Sequence, residues 1–484
     1  MKAPIFVAAI FTTTLLGAVA AEIEGLPAPG EPRAAKFVQP QEKTLANGLR
    51  VIVVERPGLP LVSAQVLLPT GSEADLPTAP GLAEFTAALL TQGTTTRSAT
   101  QIAREVEALG ATLKAKAGWD GSAVELTTLS SQLDRAFAVL ADVTEHPKFA
   151  PAEIERLRRL SLDELRLSGE EPGVVARLAA SRTILGRGLY AHPAKGTIAS
   201  ISRLHRKEIA DFHATRYTAG QAMLVIAGNV AGEVAFAQAQ KHFGSWKSAA
   251  DHPATAAGKF EPAAKPRAIL IDMPNAGQAA VVVGTPGIPR QAEDYFPGTV
   301  ANTVLGGGYS SRLNEEIRLK RGLSYGVRST LEALRAGGLF TARCQTKNES
   351  ATEVVTLMRT ELQRLGTEPV SEDYLATRKA VLTGDFAREL ETNSGYVERL
   401  ADFALHGLSL DQLPLYPEQI RAVTPDAVRA FAEKHLVPGS LSVVVAGRAK
   451  DIAKPLREIF PALEVIPQAA LDLESPALRR GAKH

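Results

Sequence analysis

The chain has 484 residues, 45% of them hydrophobic and 22% charged, which is ample apolar material for large folded cores. That excludes a disordered chain, a fibre or a small disulfide-stapled module. Lys and Arg (54) against Asp and Glu (52) leave a net charge of +2, too balanced for a nucleic-acid or acidic-membrane partner, and the single cysteine, Cys344, excludes an internal disulfide and a multi-cysteine metal site.

Residues 1–20 predict a signal peptide: Lys2, an apolar stretch at 5–16 shorter than the ~20 residues of a spanning helix, then Ala18-Val19-Ala20 as a cleavage signal. The expectation is an exported protein, periplasmic or secreted; a membrane-anchoring start is the alternative. Residues 21–40 form a Pro/Ala/Glu-rich lead-in. Strand patterns follow at 48–54 and 61–68, then a helix over 80–90. Ser98 with Gln101 forms a capping-box start for the next helix, which Gly110 stops. Short strands near Thr112 and Ala123 precede helices over 132–143 and 151–167, the last opening on Pro151, where proline is tolerated.

A weak internal repeat organises the rest. Gly220, Ala227 and Gly228 recur 219 residues later as Gly439, Ala446 and Gly447. Phe212/Phe431, Val62/Val281 and Asp75/Asp294 keep the same offset. Residues 247–265, rich in Ala, Pro and Lys without a period, read as a linker. The expected fold is therefore α+β, a tandem duplication of two α/β-roll units at 42–246 and 266–463. Each is a mostly antiparallel sheet with helices packed on one face.

The usual catalytic signatures are absent: no phosphate-binding loop, no Gly-x-Ser-x-Gly elbow, and no two of the nine histidines at i, i+4, the spacing that puts two imidazoles on one helix face. Two segments still stand out. One runs Gly81-Leu-Ala-Glu84-Phe-Thr-Ala87-Ala88 to Gly93-Thr94. The other is Leu305-Gly306-Gly307-Gly308-Tyr309-Ser310-Ser311-Arg312-Leu313, continuing through Arg318 to Gly322-Leu-Ser-Tyr325. It predicts a glycine-rich turn feeding a helix, with Ser310 or Ser311 as N-cap and Gly322 as the stop. Three backbone N–H groups in that turn would suit a phosphate, although no P-loop lysine follows; a flexible hinge with an ordinary helix is the plainer alternative.

The first segment resembles the zinc helix of the insulinase/pitrilysin family of inverted-zincin metallopeptidases, Gly-x-Ala-His-x-x-Glu-His followed by Gly-Thr. Glu84 stands at the first histidine, Ala87 at the glutamate and Ala88 at the second histidine. Glu164, in the acidic stretch before Pro172, is the counterpart of the third ligand. Two carboxylates without imidazole make a poor zinc site, and Glu84 reads equally as a helix-surface residue. The second segment is similar to the second half of the family's two-chain, processing-peptidase-like branch, whose Arg/Tyr pair falls on Arg318 and Tyr325. There the pair binds the substrate carbonyl and stabilises the developing oxyanion. The alternative is that Arg318 pairs with Glu315 and Tyr325 packs in a strand.

The resemblance implies a non-catalytic, substrate-positioning subunit of an exported zinc metallopeptidase, inactive alone. Arg318, Tyr325 and the loop Gly306, Gly307 and Gly308 would serve a partner chain's active site. The degenerate motif would be Glu84, Ala87, Ala88 and Glu164, with no metal or cofactor on this chain and zinc on the partner. The expected partners are a family subunit with the intact motif and peptide substrates, with no nucleic acid. A peptide-binding protein without peptidase activity is the alternative. An enzyme built on Glu84 and a distant histidine is the third reading, and it has no recognisable nucleophile–base arrangement behind it.

Overall fold

Apolar strand runs bounded by turn residues form the centre of each half in the computed structural model, which describes residues 37–248 and 260–480. The leader expected at 1–20 lies outside the described residues, as do most of the lead-in and the middle of the linker. The first half contributes strands β1 (Gln41–Thr44), β2 (Arg50–Glu55), β3 (Leu61–Leu68), β4 (Thr112–Ala117), β5 (Ser122–Leu129) and β6 (Met223–Gly228). They form one sheet in the order β1-β2-β6-β3-β5-β4. The second contributes β7 (Ala268–Asp272), β8 (Ala279–Gly287), β9 (Val327–Ala333), β10 (Gly338–Thr346), β11 (Ser442–Gly447) and β12 (Glu464–Pro467), in the order β12-β7-β11-β8-β10-β9.

The two orders superimpose strand for strand except at one edge. There β1 runs antiparallel to β2, whereas β12 runs parallel to β7. Other pairs are antiparallel apart from β2 with β6 and β7 with β11. The repeat seen in the sequence is thus a repeat of architecture: β6 and β11, each buried at every residue, keep the 219-residue offset.

The helices repeat as well. The first half carries α1 (Leu82–Leu89), α2 (Ala99–Ala108), α3 (Leu133–Glu145), α4 (Pro151–Gly169), α5 (Pro172–Leu185), α6 (Ile198–Arg203), α7 (Arg206–Arg216) and α8 (Gly232–Phe243). The second carries α9 (Tyr295–Leu305), α10 (Ala351–Thr367), α11 (Glu372–Glu389), α12 (Asn393–Leu405), α13 (Tyr416–Ala422), α14 (Pro425–His435) and α15 (Ala449–Ile459). The Ser98 capping box is formed in both directions, and Pro151 opens α4.

Two helices cross over between the halves. The apolar face of α5 (Val175, Ala176, Ala179, Ala180) packs on Ile269, Ile271, Val282 and Val444 of the second sheet. Its counterpart α12 returns the favour, with Val397, Leu400 and Ala401 in one core with Ile52, Val54, Val225 and Ala227 of the first sheet. Each sheet therefore has its own helices on one face and a helix of the other half on the opposite face, which is why its central strands are continuous apolar runs.

A buried polar bridge accompanies the exchange. Asp120, between β4 and β5, accepts from Tyr190 Oη at 2.7 Å and from the Arg335 backbone N–H at 2.6 Å. His406, after α12, stands between Asp120 (3.7 Å) and Asp402 (3.2 Å). Burial works against its proton, but the two carboxylates push its pKa up to about 9.

Candidate functional site

The glycine-rich turn lies where α9 ends. The backbone N–H groups of Gly306 and Gly307 both donate to Asn302 O, at 2.9 and 3.1 Å, so two of the three donors considered for a phosphate are already bonded. A Cβ on Gly306 would sit 2.3 Å from Ser329 N, and one on Gly307 2.7 Å from Thr303 Cα. Only glycine lets the turn lie this close to α9 and β9, where Ser329 N–H donates to Gly306 O at 3.2 Å. No such crowding surrounds Gly308.

The helix that follows starts as expected, with Glu315 N–H bonded to Ser311 O, and stops at Gly322 with φ +63. Its body is different. Residues Asn314–Leu319 form a π-helical turn, with Lys320 N–H reaching back five residues to Glu315 O. The widened turn re-aims the side chains that follow, as such turns often do at functional sites.

Asn314 locks this arrangement. It is buried; its Nδ2 donates to Gly308 O (3.0 Å), Ser311 Oγ (3.2 Å) and Val327 O (2.6 Å), and its Oδ1 accepts from Val327 N–H (3.0 Å). One side chain thereby ties the glycine turn, the helix and the start of β9 together. Nothing in the pattern of residue types assigned it a role; an asparagine inside a helix, where it is disfavoured, was the available signal.

Arg318 projects from the π turn between two phenol rings, its guanidinium carbon 4.6 Å from the centroids of both Tyr309 and Tyr325. Glu315 pairs with Lys320 instead, at 3.0 Å, and Arg318 has no ion-pair partner among the described residues. Tyr325 precedes β9 and is 90% exposed, so it does not pack in a strand. The structure brings Arg318, Tyr325, Tyr309 and the three glycines onto the wall of one open cavity of about 1000 Å³. Stacking on two rings orients the guanidinium while leaving its N–H groups to an incoming acceptor.

The degenerate motif lies elsewhere: none of its four residues lines that cavity. Glu84, on α1, accepts from Ala117 N–H at 2.9 Å, fastening the helix to the end of edge strand β4. Ala87 is fully buried, and neither it nor Ala88 has a donor atom to offer a metal. Glu164 is exposed on α4 and pairs with Lys195 at 2.7 Å. This donor set does not fit zinc, which takes at least three strong ligands. Among the described residues no group of three or more His, Cys, Asp or Glu side chains is placed to hold an ion. Burial pushes the Cys344 thiol up to about 12, so it is inert. His213 is buried with its Nε2 2.8 Å from Thr144 O, and burial pushes it down to about 4.

Comparison with known proteins follows the same division. The family described as "Insulinase (Peptidase family M16)" matches residues 50–187, and that described as "Peptidase M16 inactive domain" matches residues 203–382. An uncharacterized zinc protease of Mycobacterium bovis is 30% identical over 422 residues, covering 87% of this chain and 95% of that protein. One from Streptomyces coelicolor is 28% identical over 415 residues, covering 84% and 89%. Among solved structures, the peptidase M16 inactive domain from Pseudomonas fluorescens matches with a TM-score of 0.78 at 28% identity, over 85% of this chain and 98% of that one. A protease from Helicobacter pylori has the same fold, with a TM-score of 0.79 at 21% identity, over 85% of this chain and 100% of that one.

Proposed function

This chain belongs to the insulinase (M16) peptidase family, and we propose that it acts there as a non-catalytic subunit that positions peptide substrates for a zinc-bearing partner. One observation carries the proposal. Arg318 is oriented between two rings with Tyr325 exposed beside it, both open to a cavity, while the helix that would hold zinc offers two alanines and a glutamate bonded to Ala117. Guanidinium and phenol donors held in place before reaction stabilise a developing oxyanion without reorganising. They need a metal-activated water from another chain, because nothing around them would activate one. Export through residues 1–20 is part of the same proposal and places the pair outside the cytoplasm.

The test is capture of the full chain, tagged, from the cells that make it. A second family chain with an intact His-x-x-Glu-His motif should co-purify, with zinc in the complex and chelator-sensitive peptide cleavage. The isolated chain should hold no stoichiometric zinc. Chelator-sensitive cleavage by the isolated chain contradicts the proposal. A second reading, a peptide-binding protein without peptidase activity, draws on the same open cavity of about 1000 Å³ and its cationic lining. It expects peptide affinity and no zinc-bearing partner in the capture.

A further inference from the structure

We propose that the cavity beside Arg318 and Tyr325 selects peptides by their acidic side chains, through a cradle formed by Arg177, Arg328 and Arg343. The inference rests on the peptide-positioning role above and names the substrate class for it.

The cradle is assembled from three distant parts of the chain. Alternation along β10 turns Arg343 and Gln345 to the cavity, and along β9 it turns Arg328 and Thr330 there. Arg177 reaches the same space from α5, the helix that crosses over from the first half. In the sheet register Arg343 lies directly opposite Arg328. Like charges facing each other across antiparallel strands destabilise a sheet. Burial first, and the Arg343 charge second, hold the Arg177 pKa below the usual guanidinium range.

These charges are not neutralised from within. No ion pair among the described residues involves Arg177, Arg328 or Arg343, whereas on the neighbouring helical segment Lys320 and Arg321 pair with Glu315 and Glu316. Glu332, further along β9, eases Arg177 without coming into pairing distance. Among the lining residues the cations are Arg177, Arg318, Arg328, Arg343 and Lys347, against one carboxylate, Glu171. The first turn of α5 also opens on the cavity through Gly173 and Val174, adding the positive end of its dipole. In a chain whose total charge is only +2, this is a local excess held at a cost to the sheet. Guanidinium forks match carboxylates bidentately, and a cavity of about 1000 Å³ admits several residues of an extended peptide.

Calorimetric titration of the full chain with three unlabelled peptides of about ten residues tests this, identical except for four Glu, four Gln or four Lys. At low salt, where exposed charges are least screened, the Glu peptide should bind about tenfold or more tighter than the Gln peptide, and the Lys peptide weakest. The triple variant Arg177→Gln, Arg328→Gln, Arg343→Gln should erase that order while its melting temperature stays level or rises, because a repulsive cross-strand pair is relieved. Arginines with a purely structural role would lower it. Equal affinity for the Glu and Gln peptides, no binding of the Glu peptide, or a preference that survives in the variant would overturn the proposal. The measurement needs no second chain, so absence of a zinc-bearing partner leaves its result intact.

Discussion

The asparagine at 314 decides how well the site is held, since its four hydrogen bonds join three pieces of backbone around Arg318. Asn314→Ala would strand the buried N–H and carbonyl of Val327. The expected loss is about 2–4 kcal/mol in a denaturant titration, together with a fall in turnover of the assembled peptidase, because the π turn would no longer fix the guanidinium. Unchanged stability would mean that the turn is held by other contacts. Arg318 and Tyr325 were singled out in the sequence by the resemblance of the glycine-run segment to the family's second half, and the structure sets them side by side on one cavity wall. Asn314 was not singled out, because a single mid-helix asparagine carries no pattern. The arginines at 177, 328 and 343 were also invisible, being far apart in the chain and meeting only when α5 crosses to the second sheet.

At the scale of elements, the exchange of α5 and α12 makes each half incomplete without the other. Leu400, on α12, is fully buried in a core with strands β2 and β6 of the opposite half. Leu400→Ala should cost about 2–5 kcal/mol in thermal or chemical unfolding, and because the lost contacts lie between halves, limited proteolysis should release fragments of half-chain size sooner. A cost below about 0.5 kcal/mol would show that α12 is not structural glue. Strand β3 was expected over the same residues that form it, because its apolar run is bounded by turn residues on both sides. The π turn was read as ordinary helix, since over six residues a period of 3.6 cannot be told from a wider one. The crossing helices were unreadable for a different reason. Residues such as Ala176 and Ala179 show that α5 buries a face, not which sheet it covers.

For the whole molecule, the duplication followed from the recurring Val/Ala/Gly strands, while the sheet order and the bridge between the halves did not, both being made by residues remote in sequence. His406 at that bridge faces Asp120 and Asp402; Asp120 in turn accepts from Tyr190 and the Arg335 backbone and feels the Glu73 charge, and Arg290 lies 3.8 Å from Asp402. Its folded pKa of about 9 exceeds the ordinary 6.5. The stability it adds is therefore full below pH ~6.5 and is lost as pH rises through about 9. Glu73, which burial raises to about 7, completes its own titration earlier. Between pH 7.5 and 10 the stability gap between wild type and His406→Gln should shrink by on the order of 2 kcal/mol in urea titrations; a constant gap would remove His406 from the bridge. The central claim is that this chain lends its Arg318/Tyr325 pair to chemistry performed by another. Its most direct measurement is the steady-state kinetics of the reconstituted two-chain peptidase with Arg318→Ala or Tyr325→Phe introduced here alone. The account predicts intact assembly and zinc content with kcat lowered about 10²-fold; unchanged kcat in both variants would contradict it.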